Sequence, residues 1–447
     1  MVNMQSGNIK IQLTQGCYLA ISCSTKINNW KLETKHWRDA QSQKERMEDW
    51  TKIAEYLPKY EEIKNILQSE PEADYIIREA AADVGKTNEE REFNDEIFYL
   101  VSSLADKFWE RIHTGHFSAV PIEVRKIYAL ACYYKIYYLF CESLSKTQLL
   151  RCSEILDEAI LIGCTQSLYK GSDQFQTQLT SYISKVSEDN AERYLPIIAE
   201  LERQQYKCDI PVLDCPSVEN FHKICFNSEQ PALLLNTIAH WPAMHKWRDL
   251  NYLHKLAGNR TVPIEIGANY TTDEWSQQLV KIRDFLRRQF VQSNTQIEYL
   301  AQHELFDQIP ALKTDIRIPD YCILHSSGNS SDPEKVSIKA WLGPKNTISP
   351  LHYDPEHNLL CQVFGRKQVI LAAPTDTAKL YPHDSEMLCN TSKLDATRLD
   401  LERFPLAAEV AFYNVTLQVG DCLYIPPKWW HYVRAESESF SVSFWWS

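Results

Sequence analysis

Residues 351–371 read LHYDPEHNLLCQVFGRKQVIL. Positions 359–364 and 368–371 are mostly apolar, and Gly365-Arg366 between them is a tight-turn signal, so the stretch predicts two β-strands joined as a hairpin. Comparable short runs recur around it. Pro231-Ala232-Leu233-Leu234-Leu235 and residues 262–266 read as strands. Residues 336–341 follow after the polar loop 326–334, and Gly420-Asp421 opens 422–426, with 431–434 and 440–444 behind it. Seven or eight short strands separated by turns predict a β-sandwich or jelly roll, with helices such as 275–290 packed outside.

Upstream the composition changes. Residues 44–204 are rich in Leu, Ala, Glu, Lys and Arg, with apolar residues at helical spacing, as in Ile122, Val124, Ile127, Leu130, Ala131 and Tyr134. No fixed repeat runs through this half, which reads as a stack of antiparallel helices suited to packing or to docking a protein partner. Cys208-Asp209-Ile210-Pro211-Val212 and Cys215-Pro216-Ser217 mark an extended connector, and Pro216-Ser217-Val218-Glu219 reads as the start of a short helix. The expected organisation is therefore α+β, with an all-α domain over 1–205 and a β-domain over 206–447. Two domains also suit 447 residues.

Charge and cysteine usage narrow the function. A net charge of −12 argues against holding nucleic acid through a bulk positive field. The 13 cysteines, from Cys17 and Cys23 to Cys422, form no CxxC pair, which fits reduced thiols. The run 9–23 is interrupted by Lys10, Gln12, Thr14 and Gln15 and does not read as a signal peptide. Residues 127–140, IYALACYYKIYYLF, are too short for a bilayer span and carry Lys135 among several tyrosines, so they predict a buried helix. No membrane attachment is expected.

The chemistry concentrates in the opening stretch. Residues two apart on a strand face the same side, so His352 and Asp354 can offer an imidazole and a carboxylate to one atom. Asn358 is read in the same phase and His357 out of it. A third ligand has to come from elsewhere, and His431, late in the β-domain, is the best placed. Two histidines and one carboxylate leave part of a metal's coordination sphere open, as in non-haem Fe(II) oxygenases. Lys367, just after the hairpin turn, suits the far carboxylate of a 2-oxoglutarate cosubstrate, because a long apolar stem can carry the ammonium to the bottom of a pocket. A zinc hydrolase or cupin isomerase would use the same ligands but give Lys367 no role.

Longer matches extend this reading: HWPAMHKW, RTVPIEIG, YLAQHELFDQIP, WLGPKNTISPLHYDP, FGRK, LYPHD, YIPPKWWHYVRA and SFSVSFWWS. Over about 211–447 the chain resembles the Jumonji-C family of Fe(II)- and 2-oxoglutarate-dependent oxygenases. The resemblance implies a double-stranded β-helix, the cupin-like jelly roll, with flanking helices. It implies Fe(2+), 2-oxoglutarate and O2 as cofactor and cosubstrates, with His352, Asp354 and His431 as iron ligands. Lys367 would then hold the distal carboxylate, with Tyr299, Ser349, Asn358 and Trp445 lining the same pocket, and Glu265 and Trp341 would hold a substrate arginine. The implied reactions are hydroxylation of a protein arginine, with succinate and CO2 as co-products, or demethylation of N-methyl-lysine or methyl-arginine on a histone tail. The implied place is the nucleus, with the cytoplasm also open. The chain departs from the family at Tyr353, Glu356 and His357, in a loop the family varies, and at 427–430, on the approach to His431. A catalytically idle chromatin or signalling scaffold is the reading of another class, and the intact ligand set argues against it.

Overall fold

The computed structural model describes residues 51–86, 93–114, 119–142, 145–163, 168–169, 171–186, 195–205, 208–267, 275–292, 296–325, 336–385 and 388–447. The run 9–23, with Cys17 and Cys23, and the loop 326–334 lie outside them. The chain divides into two compact units, Val2–Asp189 and Asn190–Ser447.

In the first unit the helical expectation holds. Among the described residues, six complete helices follow the helical residues 51–55: α1 (Tyr60–Leu67), α2 (Pro71–Val84), α3 (Asp95–His113), α4 (Ile122–Glu142), α5 (Lys146–Gly163) and α6 (Ser172–Val186). Asn94 starts α3 by accepting the Ile97 N–H at 3.2 Å, which satisfies one of the free donors of a helix N-terminus. The tyrosine-rich run sits in α4, where every residue of 127–140 except Lys135 is buried. Its hydroxyls are not left orphaned: Tyr134 donates to the Pro58 carbonyl and Tyr138 to Asp83, both at 2.7 Å. Gly163 lets α5 approach α4, since a Cβ there would stand 2.5 Å from the Ala129 Cβ. Among the described residues no helix is long and apolar enough to cross a membrane.

The second unit begins earlier than the composition change near residue 206 suggested. Segment 195–205 is fastened to it by backbone and side-chain bonds: Ile198 N–H to Arg248 at 2.8 Å, a two-way exchange between Gln204 and Gln418 at 2.9 Å, and Arg203 to the buried Asp421 at 2.7 Å. Ser217 caps the expected short helix by accepting the Asn220 N–H.

Among the described residues thirteen strands follow: β1 (Val212–Asp214), β2 (Ala232–Leu235), β3 (Thr261–Ile266), β4 (Ser276–Lys281), β5 (Glu298–His303), β6 (Ser337–Gly343), β7 (Ile348–Tyr353), β8 (His357–Phe364), β9 (Lys367–Ala372), β10 (Phe412–Leu417), β11 (Cys422–Ile425), β12 (Trp430–Ala435) and β13 (Ser439–Trp446). They form a nine-stranded sheet in the order β1-β2-β11-β8-β13-β6-β5-β3-β4 and a four-stranded sheet, β10-β9-β12-β7. This is the predicted jelly roll, with more strands than the sequence announced. Residues 275–290 are a correction: β4 occupies their first half and only Ile282–Phe290 is helical. Ser276 to Lys281 pair in register along all of β3, so ladder formation at a sheet edge overrides the helix propensity of the glutamines.

Three apolar layers hold the unit, one of them on the outer face of the small sheet, where Leu351, Ile370, Trp430 and Tyr432 pack with Leu380 and Phe404. Trp241, Trp247, Leu250, Phe285 and Leu286 pack on the outer face of the large sheet against Ile264, Leu300 and Val442. Between the sheets, Leu360, Leu423 and Ile425 from one side meet Val369, Leu371, Val415 and Val433 from the other. Polar side chains also enter the space between the sheets, and they build the site.

Candidate metal and cosubstrate site

His352 on β7 and His431 on β12 are direct cross-strand partners, with ring centroids 4.2 Å apart. Each ring is fixed from behind by the backbone two residues earlier: His352 Nδ1 lies 2.7 Å from the Pro350 carbonyl and His431 Nδ1 3.0 Å from that of Trp429. A carbonyl only accepts, so each Nδ1 carries the proton and each Nε2 presents a lone pair. Asp354 completes the group, its Oδ2 3.6 Å from His431 Nε2. One ligand atom from each of the three lies within 4.8 Å of the others. Ligands about 2.1 Å from a common metal stand roughly 3–4 Å apart, so the arrangement fits one ion.

Both backbone edges around this trio are tied down. Segment 390–392 closes the free edge of β7, with Tyr353 N–H bonded to Asn390 and Ser392 N–H to Leu351. The Lys428 N–H donates to the Asp354 carbonyl at 2.7 Å, joining the turn before β12 to the loop that carries the aspartate. Burial, and then the neighbouring His431, lower the His352 pKa well below its usual value, which keeps the ring neutral and able to ligate. Burial pushes the Asp354 carboxyl up. His431 pulls it down, as does the Trp445 indole N–H, which leans toward it without completing a hydrogen bond.

A second group of side chains surrounds Lys367. The Gly365 turn that precedes it has φ 80°, and a Cβ there would meet the Glu438 carbonyl at 1.9 Å, so the hairpin needs glycine. Lys367 is 2% exposed, and its Nζ lies 3.3 Å from the Tyr299 hydroxyl, 5.7 Å from that ring and 6.0 Å from the Trp341 ring. No carboxylate among the described residues pairs with it, and burial pulls its pKa down to about 7. Burial raises the Tyr299 hydroxyl, and the nearby Glu265 charge raises it further. Trp341 stands 6.1 Å from both Tyr299 and Trp445 and donates its N–H to Ser443 at 2.9 Å. Asn358 and Trp445 are register partners across β8 and β13, and the Asn358 Oδ1 and Trp445 Nε1 are buried without hydrogen bonds.

A buried cation without an anion, beside an orphaned amide oxygen and indole N–H, is costly unless something binds there. A dicarboxylate that chelates a metal at one end and meets Lys367 at the other fits this donor set. The residues present therefore suit both Fe(II) and 2-oxoglutarate.

One expectation requires correction. Asn358 does not share a strand with His352 and Asp354: β7 ends at Tyr353, and Asn358 belongs to β8 in the other sheet. It reaches the pocket region by sheet-on-sheet packing. Conversely, Ser349 and His352 are an odd number apart, yet both lie opposite inward positions of β12. Three steps along β7 match two along β12, from Val433 to His431, and this bulge restores the common face. His357 begins β8, so a strand phase shared with His352 does not apply to it either, and it is structural: its Nδ1 is 2.9 Å from the Tyr424 hydroxyl, and the ring stacks on Phe226 and Trp446. Glu265 is half-buried on β3, opposite Tyr299 of β5, and burial raises its pKa. The segment 390–392 and the bulge were missed, and neither has a signal in local composition.

Comparison with known proteins agrees with this geometry. A family model described as a cupin-like domain matches residues 218–447. Jumonji C domain-containing protein 5 of Drosophila melanogaster is 56% identical over 406 residues, covering 89% of this chain and 99% of that protein. The chain belongs to the Jumonji-C family. Two further Jumonji-C relatives are each 38% identical: lysine-specific demethylase 8 of Danio rerio, over 77% of this chain and 86% of its own, and lysine-specific demethylase JMJ30 of Arabidopsis thaliana, over 76% and 84%. As a Jumonji-C protein the chain is an Fe(II)- and 2-oxoglutarate-dependent dioxygenase.

Proposed function

We propose that this oxygenase hydroxylates an arginine side chain of a protein substrate. His352, Asp354 and His431 hold the iron, and Lys367 with Tyr299 binds the distal carboxylate of 2-oxoglutarate. Asn358, Ser349 and Trp445 line the same pocket. Iron with 2-oxoglutarate and O2 supplies the oxidation, leaving succinate and CO2. The chain's own residues fix the ligand nitrogens, exclude water and position the C–H bond that is attacked.

The observation that carries the arginine reading is Glu265, a half-buried carboxylate with no lysine or arginine beside it among the described residues, facing the wall that holds Tyr299. A guanidinium matches a carboxylate in both charge and shape. Trp341, whose ring lies 6.0 Å from the Lys367 ammonium, walls the pocket beside that guanidinium.

Demethylation of methyl-lysine is the second reading, favoured by the names of two relatives. A methylammonium calls for an aromatic cage. Tyr299 and Trp341 are the start of one, but the cation they face is the protein's own Lys367. That weighs toward hydroxylation. The nucleus is the compartment these relatives suggest, and the helical unit is the part available to a docking partner.

The test is incubation of the full chain with Fe(II), 2-oxoglutarate and defined peptide pools, followed by mass spectrometry. Gain of one oxygen on arginine supports the proposal, and loss of a methyl group from lysine would replace it with demethylation. Succinate formation no greater than that of His352→Ala would remove the oxygenase activity altogether.

A further inference from the structure

Across β4, β3 and β5, three side chains stand in one row. Gln277 is the register partner of Glu265, and Glu265 is the register partner of Tyr299. Directly opposed residues of antiparallel strands project from the same face, so all three point to the side where Tyr299 meets Lys367. The other face carries Val262, Ile264, Ile266 and Leu300 into the apolar layer under the helices. Gln277 is only 6% exposed, and its Oε1 is buried without a hydrogen-bond partner.

A buried amide oxygen left unpaired is destabilising, and folding alone gives no reason to keep one where leucine or methionine would pack. Its place beside Glu265 gives the reason. A guanidinium has five N–H donors and no acceptor. One carboxylate takes two of them in a forked pair, and the Trp275 indole N–H stands near Glu265, favouring its charged form without completing a hydrogen bond. The remaining donors need a neutral acceptor one strand away. A second carboxylate there would repel Glu265, whereas glutamine adds an acceptor without charge.

Resting on the arginine reading above, we infer that Gln277 is a specificity-determining residue, whose Oε1 accepts an N–H of the substrate guanidinium beside Glu265. A fully methylated ammonium has no N–H to give it. The pair therefore selects unmodified arginine over trimethyl-lysine.

Ligand-observed NMR titration tests this with the full chain loaded with Zn(II) and 2-oxoglutarate, so that no turnover occurs. The probes are N-acetyl-arginine methylamide and N-acetyl-trimethyl-lysine methylamide, whose ammonium has no N–H. Gln277→Met is expected to weaken the arginine probe about tenfold, the scale of one hydrogen bond lost from a charged group, and to leave the lysine probe unchanged. Its melting temperature should equal or exceed that of the parent, because an orphaned polar atom has been removed. Gln277→Asn, which withdraws the acceptor by one methylene, should show the same binding defect and guards against misfolding of the first variant. Arginine-probe affinity within twofold of the parent in both variants overturns the role of Gln277. If Glu265→Gln weakens that probe in the same experiment, the arginine reading survives that failure. If Glu265→Gln also changes nothing, both fail together.

Discussion

Two buried histidines five residues apart show how differently the end of β7 and the start of β8 are used. His357 at the start of β8 is satisfied: a hydroxyl on its Nδ1, and Phe226 and Trp446 against its ring at centroid distances of 4.4 and 5.3 Å. His352 at the end of β7 has its Nδ1 pinned to its own backbone, and its other nitrogen turns toward Asp354 and His431. The first is a core residue that happens to be polar. The second is held in a costly, neutral and underused state. Burial lowers the pKa of both, so burial and charge alone do not separate them. The difference lies in whether the fold consumes the ring's hydrogen-bonding capacity or leaves it for a ligand.

Paired substitutions sharpen that contrast, and they carry the largest expected effects. His352→Ala should abolish succinate formation and Mn(II) binding by calorimetry while leaving the melting temperature close to the parent's. His357→Ala should do the reverse. It removes a stacked, hydrogen-bonded ring from a filled core, costing about 2–4 kcal/mol in denaturant unfolding, with metal stoichiometry retained at low temperature. Loss of metal binding in His357→Ala but not in His352→Ala would break the comparison.

Lys367 extends it to a cation. With its pKa pulled down to about 7, the empty site binds fewer protons than the unfolded chain between pH 7 and the ordinary lysine range. Stability of the empty protein should therefore rise with pH across that window, by up to about 1.4 kcal/mol per unit, and be lost as pH falls toward 7. Lys367→Met should flatten this slope. It should also weaken 2-oxoglutarate by about 10- to 100-fold, as expected for a charge-assisted bond. Binding of 2-oxoglutarate at pH 8 should take up close to one proton, visible by calorimetry in buffers of different ionisation heat. Asn358→Ala is a milder probe of the same wall. Its Oδ1 is unpaired in the structure, so stability should change by less than about 1 kcal/mol while the KM for 2-oxoglutarate rises a few-fold.

These residues were unevenly legible in the sequence. His352, Asp354 and His431 stood out because ligand-type side chains are scarce in apolar strands, and Lys367 because a lysine followed a turn into one. Apolar runs and turn signals exposed β8, β9, β12 and β13. β4 was hidden, since Ser276 to Lys281 lack clean alternation and run straight into a real helix at Ile282. Strand phase was a weaker guide than it looked. It placed Asn358 near the right pocket for the wrong reason and had no means of relating Ser349 to His352 across a bulge. Whether a buried polar atom is satisfied, as His357 is and Gln277 and Asn358 are not, is decided by residues distant in sequence. It became readable only in the folded chain.

Lys428, whose replacement by glycine carries a predicted effect near zero, asks whether backbone or side chain holds the site together. Lys428 has φ 64°, a left-handed conformation costing a residue with a Cβ about 1–2 kcal/mol, and only its backbone N–H reaches Asp354. Glycine would relieve that strain but has more freedom to lose on folding, about 0.5–1 kcal/mol. Lys428→Gly should therefore change stability by less than about 1 kcal/mol and leave Mn(II) affinity unaltered, because the N–H remains. Lys428→Val keeps the N–H but resists the conformation, so it should cost about 1–3 kcal/mol and weaken Mn(II) binding as the Asp354 loop loses its tether. If glycine and valine lowered metal affinity equally, the exposed lysine side chain, and not the turn, would be what positions the aspartate.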